Sequence, residues 1–274
     1  KFKPIIKIAD NIVDMQLKVF QVDAFTGSLF KGNPAAVVIL EEEISDELMQ
    51  NIAFENNLSE TAYILINKTP IEIRWFSPTA EVDLCGHATL ASAKILFDHY
   101  LSNKQQIIFD SKSGELTVTQ SGNLLTLNFP SDAFKKVDNN DEINQAANTC
   151  SEEIYKGRDD YLVILESEEE LKKLTPNFQQ VSMLDARGLI VSAPSNSVDF
   201  VSRCFFPQLG VNEDPVTGSA HTLLMPYWSN RLGRNKLTAK QVSERGGLLQ
   251  CEYKGTRTLI SGEAVIFLTG VIEA

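Results

Sequence analysis

The sequence has little of what disulfide-bonded, zinc, nucleic-acid-binding and membrane proteins require. Its 274 residues include only four cysteines and three histidines. The cysteines form no Cys-x-x-Cys pair, so neither a disulfide framework nor a metal site is indicated. The formal net charge is −11 at pH 7, and no long basic run is present, which argues against a nucleic-acid partner. No uncharged apolar run approaches the roughly 18–20 residues of a membrane span. We therefore expect a cytoplasmic protein without a metal, a nucleic-acid partner or a membrane partner.

The short motifs of common nucleotide, hydrolase and metalloprotease sites are missing as well. The sequence contains no Gly-x-x-x-x-Gly-Lys, no Gly-x-Gly-x-x-Gly after a strand pattern, no Gly-x-Ser-x-Gly and no His-Glu-x-x-His. Each of these motifs supplies groups on which its chemistry depends. Nucleotide, serine-hydrolase and zinc chemistry therefore lack their usual signatures.

What the sequence does contain is an internal repeat. Arg74-Trp75-Phe76-Ser77-Pro78 is followed by Cys85-Gly86-His87-Ala88, and Arg203-Cys204-Phe205-Phe206-Pro207 is followed by Thr217-Gly218-Ser219-Ala220. The interval from arginine to glycine is longer in the second copy, and we place the extra residues in the acidic stretch Asn212-Glu213-Asp214-Pro215. Because the length suits two domains of ordinary size, the repeat predicts two similar halves that face a shared cleft.

An uncharged stretch follows the glycine of each copy. Residues 85–93 and 215–230 contain no Asp, Glu, Lys or Arg, and a helix that is apolar or small on every side is buried on every side. Short strand patterns surround both stretches, and we place the starts of the helices at Gly86 and Gly218. The predicted fold class is α+β, with two similar halves, each a curved, mainly antiparallel sheet around a central buried helix.

The domain boundaries follow from the strand patterns and the composition. Residues 16–130 form the first predicted domain and residues 131–261 the second. The first part of the second domain, residues 131–160, is polar, acidic and rich in Asn, which is typical of a linker. Met15 directly precedes the first strand pattern, so residues 1–15 are interpreted as a leader or extension.

Both predicted helices begin at a glycine. The first N–H groups of a helix have no internal partner and carry partial positive charge, so a helix N-terminus can bind an anion. Glycine also lets a carboxylate approach the backbone closely. Either glycine alone could mark no more than a tight turn before a core helix. The duplication favours two such ends that converge on one small anionic substrate.

Four polar side chains near these ends could transfer or steer a proton. Glu60 lies between a helix pattern and a strand pattern and is flanked by apolar residues. Partial desolvation would raise its pKa toward the range of a general base. Taken alone, Glu60 could be an exposed loop acid, and Asp214 an exposed turn acid before a proline. With His87 and Ser219 at the two helix starts, these two acids form a candidate proton-transfer set.

The start of the first predicted helix also carries Cys85. A helix dipole lowers the pKa of a histidine at the N-terminus and stabilises a thiolate there, which favours a neutral His87 and permits a reactive Cys85. His87 could equally be a satisfied core histidine. The repeat partner of Cys85 is Thr217, so no symmetric pair of thiols is available. His99 and His221 are interpreted as structural.

Five blocks of sequence resemble one family. They are Gln21-Val22-Asp23-Ala24-Phe25-Thr26, Gly32-Asn33-Pro34-Ala35, Leu58-Ser59-Glu60-Thr61-Ala62, Cys85-Gly86-His87-Ala88-Thr89 and Glu213-Asp214-Pro215-Val216-Thr217-Gly218-Ser219-Ala220. Their order and spacing are similar to those of the phenazine-biosynthesis isomerase (PhzF-like) family, and the resemblance covers residue 16 to the end. It implies the diaminopimelate epimerase-like fold, in which the closing strand, near residues 262–274, can return to the first half.

The resemblance also implies an activity. That activity is cofactor-independent isomerisation, in which a glutamate moves a proton between carbons of a small carboxylate-bearing substrate bound between the two domains. Members of this fold commonly form homodimers. By motif match, Glu60 is the base, and His87, Asp214 and Ser219 are its polar partners. The implied substrate-binding positions are Asn33, Cys85, Gly86, Ala88, Thr217, Gly218 and Ala220.

Two other functions remain open. The related epimerases place two cysteines across the cleft, and Thr217 in the second place argues against two-base stereoinversion. An amino-acid epimerase or racemase that pairs Cys85 with another acid is the alternative among enzymes. A non-catalytic module of the same fold, which binds a ligand or a partner protein, is the alternative outside them.

Overall fold

The computed structural model of the chain describes residues 15–138 and 141–274. The predicted leader lies outside the described residues, apart from Met15, whose backbone pairs with that of Ala274. Within the described ranges, no helix has both the length and the apolar character needed to cross a membrane.

In the part of the chain that the structure describes, each half contains a run of strands and one long internal helix, with one shorter helix in the first half and three in the second. The first half comprises β1 (Gln16–Ala24), β2 (Asn33–Leu40), α1 (Asp46–Asn56), β3 (Glu60–Leu65), β4 (Ile71–Phe76), β5 (Glu81–Val82), α2 (Gly86–His99), β6 (Gln106–Asp110), β7 (Leu116–Ser121) and β8 (Leu124–Pro130). The remainder comprises β9 (Lys135–Lys136), α3 (Asp141–Ala147), β10 (Ile154–Lys156), β11 (Asp160–Ile164), α4 (Glu168–Lys173), α5 (Phe178–Val181), β12 (Gly188–Pro194), β13 (Phe200–Phe206), a 3₁₀ turn (Pro207–Leu209), β14 (Val211–Asp214), α6 (His221–Leu232), β15 (Lys236–Gln241), β16 (Gly247–Tyr253), β17 (Arg257–Gly262) and β18 (Ala264–Glu273).

The strands of the two halves pair in the same order and sense. β2 runs parallel to β3, β3 antiparallel to β4 and β4 parallel to β6, and the pairs β6–β7 and β7–β8 are antiparallel. In the second half, β11 runs parallel to β12, β12 antiparallel to β13 and β13 parallel to β15, and the pairs β15–β16 and β16–β17 are antiparallel. This match confirms the predicted fold class.

The two halves join along the antiparallel pair β8–β17, in which Pro130 lies opposite Arg257 and Leu125 opposite Gly262. The chain passes from the first half to the second after β8, and it returns to the first half after β17. β9 pairs with β10, and β18 pairs with β1. The closing strand therefore lies beside the first half, whereas the domain limits at 130 and 261 stay a prediction.

Helices α2 and α6 occupy the interior of the two halves. Every residue of α2 from Gly86 to Ala93 is buried, and so is every residue of α6 from Leu223 to Ser229. The two uncharged stretches therefore form buried helices, as predicted. The predicted start of the second helix was wrong by one turn, because the N–H of His221 bonds to the carbonyl of Gly218 at 3.0 Å. That contact spans three residues, so a tighter 3₁₀-type turn precedes α6.

Residues 131–160 are more than a linker. They contain β9, α3 and β10, and Ile143, Ala146 and Ala147 of α3 pack into a core cluster of the second half. These three residues recur at helical spacing, whereas Asp141 and Glu142 are exposed. The polar side chains of this segment thus belong partly to the outer face of a packed helix, and the interpretation as a linker was wrong for α3.

The arginines that open the two copies of the repeat make matching ion pairs. Arg74 on β4 bonds both carboxylate oxygens of Glu81 on β5, at 2.7 and 2.9 Å. Arg203 on β13 bonds both carboxylate oxygens of Glu213 on β14, at 2.7 and 2.8 Å. Glu81 and Glu213 are therefore equivalent positions.

This equivalence relocates the insertion in the second copy. From Glu81 and Glu213 onward, the two copies keep step as far as their glycines. The extra residues consequently lie earlier, at the 3₁₀ turn Pro207–Leu209 between β13 and β14. Our placement of the insertion in the acidic stretch was wrong, and Asp214 occupies the position of Val82.

Candidate active site

Glu60, the first residue of β3, is a partly desolvated carboxyl group. Its side chain is 20% exposed, and burial raises the pKa of Glu60 above its ordinary value, against the opposing charge effect of His87. Glu60 Oε2 and His87 Nε2 lie 3.2 Å apart without hydrogen-bond alignment. Neither atom has a hydrogen-bond partner in the described part of the chain.

Cys85 caps α2 through its backbone, and its sulfur lies 3.6 Å from His87 Nδ1. Burial, and next the charge of Glu60, raise the pKa of the Cys85 thiol well above its ordinary value. Desolvation therefore outweighs the helix dipole that would favour a thiolate. Cys85 is a neutral thiol in this site.

Three side chains in the site have the chemistry of metal ligands. The potential ligand atoms lie within 4.8 Å of one another, one each from Glu60, Cys85 and His87. A thiol must lose its proton to bind a metal, and burial opposes that loss at Cys85. The absence of a metal from the functional protein stays a prediction.

Asn33, the first residue of β2, joins the two halves across the site. Its buried Nδ2 lies 2.8 Å from Asp214 Oδ1, 2.9 Å from the Val216 carbonyl oxygen and 3.2 Å from His87 Nδ1. The two N–H groups of the amide have oxygen acceptors at the two shorter distances. The neutral Cys85 thiol, 3.6 Å away, can donate to His87 Nδ1, which is therefore assigned as an acceptor. The proton of a neutral His87 is then on Nε2, the atom that faces Glu60.

Asp214, at the end of β14, is held by three donors. Oδ1 accepts from Asn33 at 2.8 Å, Oδ2 accepts from the Thr217 hydroxyl, and the backbone carbonyl accepts from Gln241 Nε2 at 2.6 Å. The Thr217 hydroxyl is therefore already committed to a carboxylate. Gln241 is not among the predicted site residues, because it lies on β15, a strand that was not predicted from the sequence.

Gly86 and Gly218 meet near the centre of the molecule. A Cβ atom built on either glycine would lie 3.8 Å from the Cα atom of the other. The same Cβ atoms would lie 3.6 Å from Phe129 and 3.4 Å from Phe25, respectively. The two helical ends thus converge, and a small anion there would meet N–H groups from both halves.

Two further predicted binding positions lie in these first turns. Ala88 and Ala220 are fully buried. Their methyl groups belong to the core, so only their backbone N–H groups are suited to a ligand. With Asn33, Glu60, Cys85, His87, Asp214 and Thr217, these turns form one connected region.

Ser219 contacts a residue that the sequence analysis missed. Its Oγ accepts from Nη2 of Arg187 at 3.4 Å. Arg187 forms a two-point ion pair with Asp160 on β11, in which Nε donates to Oδ1 at 3.0 Å and Nη2 donates to Oδ2. In the described part of the chain, no hydrogen bond joins Ser219 to Glu60.

The second half has no carboxylate in the place of Glu60. Gly188 begins β12 as Glu60 begins β3, and the registers with both neighbouring strands match. A Cβ atom at Gly188 would lie 2.1 Å from Phe206 Cδ1 and 2.6 Å from the Phe205 carbonyl oxygen. No larger side chain fits there without rearrangement, so this position offers a base in the first half only.

Comparison with known proteins identifies the family. The family model described as phenazine biosynthesis-like protein (PhzC-PhzF) matches residues 22–270. An uncharacterized isomerase of Pseudomonas aeruginosa is 46% identical over 260 residues, which cover 94% of this chain and 100% of the relative. These matches place the chain among the isomerases. It belongs to the phenazine biosynthesis-like family that its sequence blocks resemble.

Solved structures share the fold. The crystal structure of a PhzF family protein from Enterococcus faecalis matches with a TM-score of 0.92 and 46% identity, over 95% of this chain and 100% of that chain. A protein of Pseudomonas aeruginosa described as a predicted epimerase matches with a TM-score of 0.73, over 94% of this chain and 99% of that chain. Its identity is 17%, so this second likeness concerns the fold alone.

Proposed function

We propose that the chain moves a proton between carbons of a small carboxylate-bearing substrate, with Glu60 as the single general base and without a cofactor. The observation that carries this proposal is a group of three buried polar atoms without a hydrogen-bond partner in the described residues: Glu60 Oε2, His87 Nε2 and Asn33 Oδ1. Buried polar atoms are rarely left unpaired. Glu60 Oε2 and His87 Nε2 lie 3.2 Å apart, and a ligand that contacts both would supply the missing partners.

The proposed reaction begins with transfer of a carbon-bound proton to the Glu60 carboxylate. Burial raises the pKa of Glu60, which makes its carboxylate a stronger base than an exposed one. The electron pair left on the substrate is delocalised, and the N–H groups near Gly86 and Gly218 can stabilise the negative charge. Glu60 then returns the proton to a different carbon, which regenerates the carboxylate.

His87 and Asp214 have supporting roles in this proposal. Nε2–H of His87 can donate to the substrate or to the Glu60 carboxylate, because Nδ1 faces the neutral Cys85 thiol at 3.6 Å. Asp214 accepts from the Asn33 amide at 2.8 Å, and the nitrogen of that amide lies 3.2 Å from His87 Nδ1. The carboxylate of the second half therefore helps to hold the histidine of the first.

A two-base epimerase is less well supported. Burial keeps Cys85 protonated, the Thr217 hydroxyl is committed to Asp214, and Gly188 carries no side chain. The second carboxylate of the site, Asp214, already accepts from the Asn33 amide and the Thr217 hydroxyl, which leaves it less available than Glu60 as a second base. A non-catalytic module of this fold would bind a ligand and transfer no proton.

Proton transfer can be tested in heavy water with a panel of small unsaturated carboxylic acids. We expect NMR to show deuterium at a carbon of an accepted acid, and Glu60→Gln to lower the rate by about 10²–10⁴. An unchanged melting temperature would show that the variant is folded. A near-normal rate in the variant would remove Glu60 from the mechanism. Label at the original carbon with inverted configuration would favour the epimerase, and binding without exchange would favour the module.

The same assay has a predicted pH dependence. Only the ionised form of Glu60 is a base, and burial raises the pKa of this group. As the pH falls through the raised pKa, kcat/KM should decline by up to about tenfold per pH unit. The decline should therefore begin at a higher pH than for an exposed glutamate.

We further propose a cytoplasmic homodimer. The four cysteines are free, which suits a reducing compartment. On β18, Phe267, Leu268 and Val271 are exposed by 44%, 43% and 56%, and an apolar edge strand is suited to pairing with a second copy. Light scattering can compare the mass of the wild type with that of Phe267→Lys.

A further inference from the structure

Arg187 is a partly buried arginine beside the candidate active site, and the proposed mechanism gives it no role. Its side chain is 33% exposed, and that of Asp160 is 6% exposed. Asp160 bonds Nε and Nη2, and the guanidinium group lies 5.2 Å from the ring centre of Phe206. A guanidinium held along one edge by a carboxylate and on one face by a ring keeps its orientation.

The position of Arg187 limits what the Ser219 hydroxyl can do. Nη2 of Arg187 donates to Ser219 Oγ at 3.4 Å. Because a guanidinium group cannot accept a hydrogen bond, the hydroxyl proton of Ser219 must point elsewhere. In the described ranges, neither this proton nor the N–H groups of Arg187 Nη1 have a hydrogen-bond acceptor.

In the first half, the residue equivalent to Ser219 faces an amide in place of a guanidinium group. Ser219 occupies the position of His87, whose Nδ1 faces the neutral amide of Asn33 at 3.2 Å. In both halves, a fixed donor leaves the first-turn residue free to donate to a ligand near Gly86 and Gly218. In the second half this donor is the charged guanidinium group of Arg187, whereas in the first half it is a neutral group.

We propose that Arg187, oriented by Asp160, is a specificity-determining residue that binds an acidic group of the substrate together with Ser219. The inference rests on the proposed function and deepens it by assigning an orientation. The acidic group lies on the Arg187 side of the cleft, and the reacting carbons face Glu60. A charged donor distinguishes a carboxylate from a neutral amide of the same shape.

Calorimetric titration with benzoate and benzamide at low salt tests this assignment, because the two probes differ mainly in charge. The wild type should bind benzoate at least about tenfold more tightly than benzamide, a difference of about 1.4 kcal/mol. In the double variant Arg187→Gln/Asp160→Asn, an amide pair replaces the ion pair, and the preference should shrink to about twofold or less. The matched control is Arg158→Gln, at an arginine whose side chain is 75% exposed, and it should keep the preference.

Two results would overturn the assignment: a benzoate preference in the folded double variant that equals that of the wild type, or a wild type with no preference. If circular dichroism shows that the double variant is unfolded, Arg187→Lys takes its place. Lysine keeps the charge but loses the two-point geometry, so the preference should weaken by about threefold or more. An unchanged preference in Arg187→Lys would also overturn the assignment.

Glu60→Gln separates this inference from the proposed function. The variant should keep the benzoate preference of the wild type although it transfers protons poorly. An Arg187-dependent preference in a wild type that labels no acid in heavy water would support the binding assignment and contradict proton transfer alone.

Discussion

The two halves of the molecule share one strand order, but the first half presents Glu60 where the second presents Gly188. Each of these residues begins a strand that runs parallel to its neighbour. The first half leaves its carboxylate beside a histidine, whereas the second half pairs its buried carboxylate, Asp160, with Arg187. In the functions that we propose, the shared architecture forms the cleft, and the differences assign proton transfer to one side and anion binding to the other.

Glu60 and Asp160 show how the same physical effect can lead to different roles. Burial raises the pKa of both Glu60 and Asp160. Asp160 is engaged by a guanidinium at both oxygens, whereas Glu60 keeps an oxygen without a hydrogen-bond partner. Availability to a substrate, more than basicity, distinguishes the two groups.

The two halves differ at the equivalent buried positions Thr89 and His221. The Thr89 hydroxyl donates to the Cys85 carbonyl at 2.5 Å, and His221 Nδ1 lies 2.9 Å from the Thr217 carbonyl. Burial lowers the pKa of His221 from 6.5 to about 4. Between these two values the unfolded chain binds the proton and the folded chain does not, so the stability falls as the pH falls through this window.

We expect His221→Gln to remove this pH dependence, because glutamine can keep a donor but does not titrate. Between pH 7 and pH 4, the wild type should lose about 3 kcal/mol more free energy of unfolding than the variant. Urea denaturation at a series of pH values measures the difference. Thr89→Ser is the matched control in the first half and should follow the wild-type profile. Parallel profiles for the wild type and His221→Gln would show that His221 is not responsible.

A second, smaller contrast concerns the matched arginines. Beyond its glutamate, Arg74 bonds Asp46, whose side chain is 75% exposed. Arg203 instead donates to the backbone carbonyls of Leu171 and Leu174, at 3.1 and 2.7 Å. These carbonyls lie at the end of α4, where backbone acceptors need partners from outside the helix.

Arg203→Gln should therefore be more destabilising than Arg74→Gln. We expect a difference of about 1–2 kcal/mol in the free energy of unfolding, because the Leu174 carbonyl loses its donor only in the second half. The Leu171 carbonyl also accepts from the Leu174 N–H and keeps that bond. Chemical denaturation of the two variants under one condition measures it. Equal losses would mean that the shared glutamate pairs account for the contribution of both arginines.

The sequence was sufficient for the features that depend on neighbouring residues. The lack of charge after Gly86 and Gly218 predicted two buried helices, and the sequence blocks around Glu60 and Asp214 pointed to the family. The sequence was not sufficient to predict contacts between residues that meet only through strand pairing. Arg187 and Asp160 come together because β11 and β12 are parallel neighbours, and no local pattern in the sequence reports that pairing.

Two predictions failed for related reasons: the place of the insertion, and a linker where the structure has helix α3. Counting residues between motifs cannot locate an insertion, whereas the equivalent ion pairs of Glu81 and Glu213 place it at the turn Pro207–Leu209. Polar composition predicted a linker where Ile143 and its apolar neighbours are buried. A short helix needs few apolar residues to dock on a sheet, so its average composition resembles that of a loop.

The smallest effect is expected from alanine at the two glycines that meet in the cleft. A Cβ atom at Gly86 or Gly218 would make only ordinary contacts, at 3.4 Å or more, whereas one at Gly188 would lie 2.1 Å from Phe206. Gly188→Ala should therefore cost about 1–3 kcal/mol of stability, and Gly86→Ala and Gly218→Ala should change it by about 0.5 kcal/mol or less. Thermal melts rank the three variants, and benzoate titration of the two cleft variants should show weaker binding with little loss of stability. A large loss of stability at Gly86 or Gly218 would mean that packing between the halves, and not access for a ligand, explains the paired glycines.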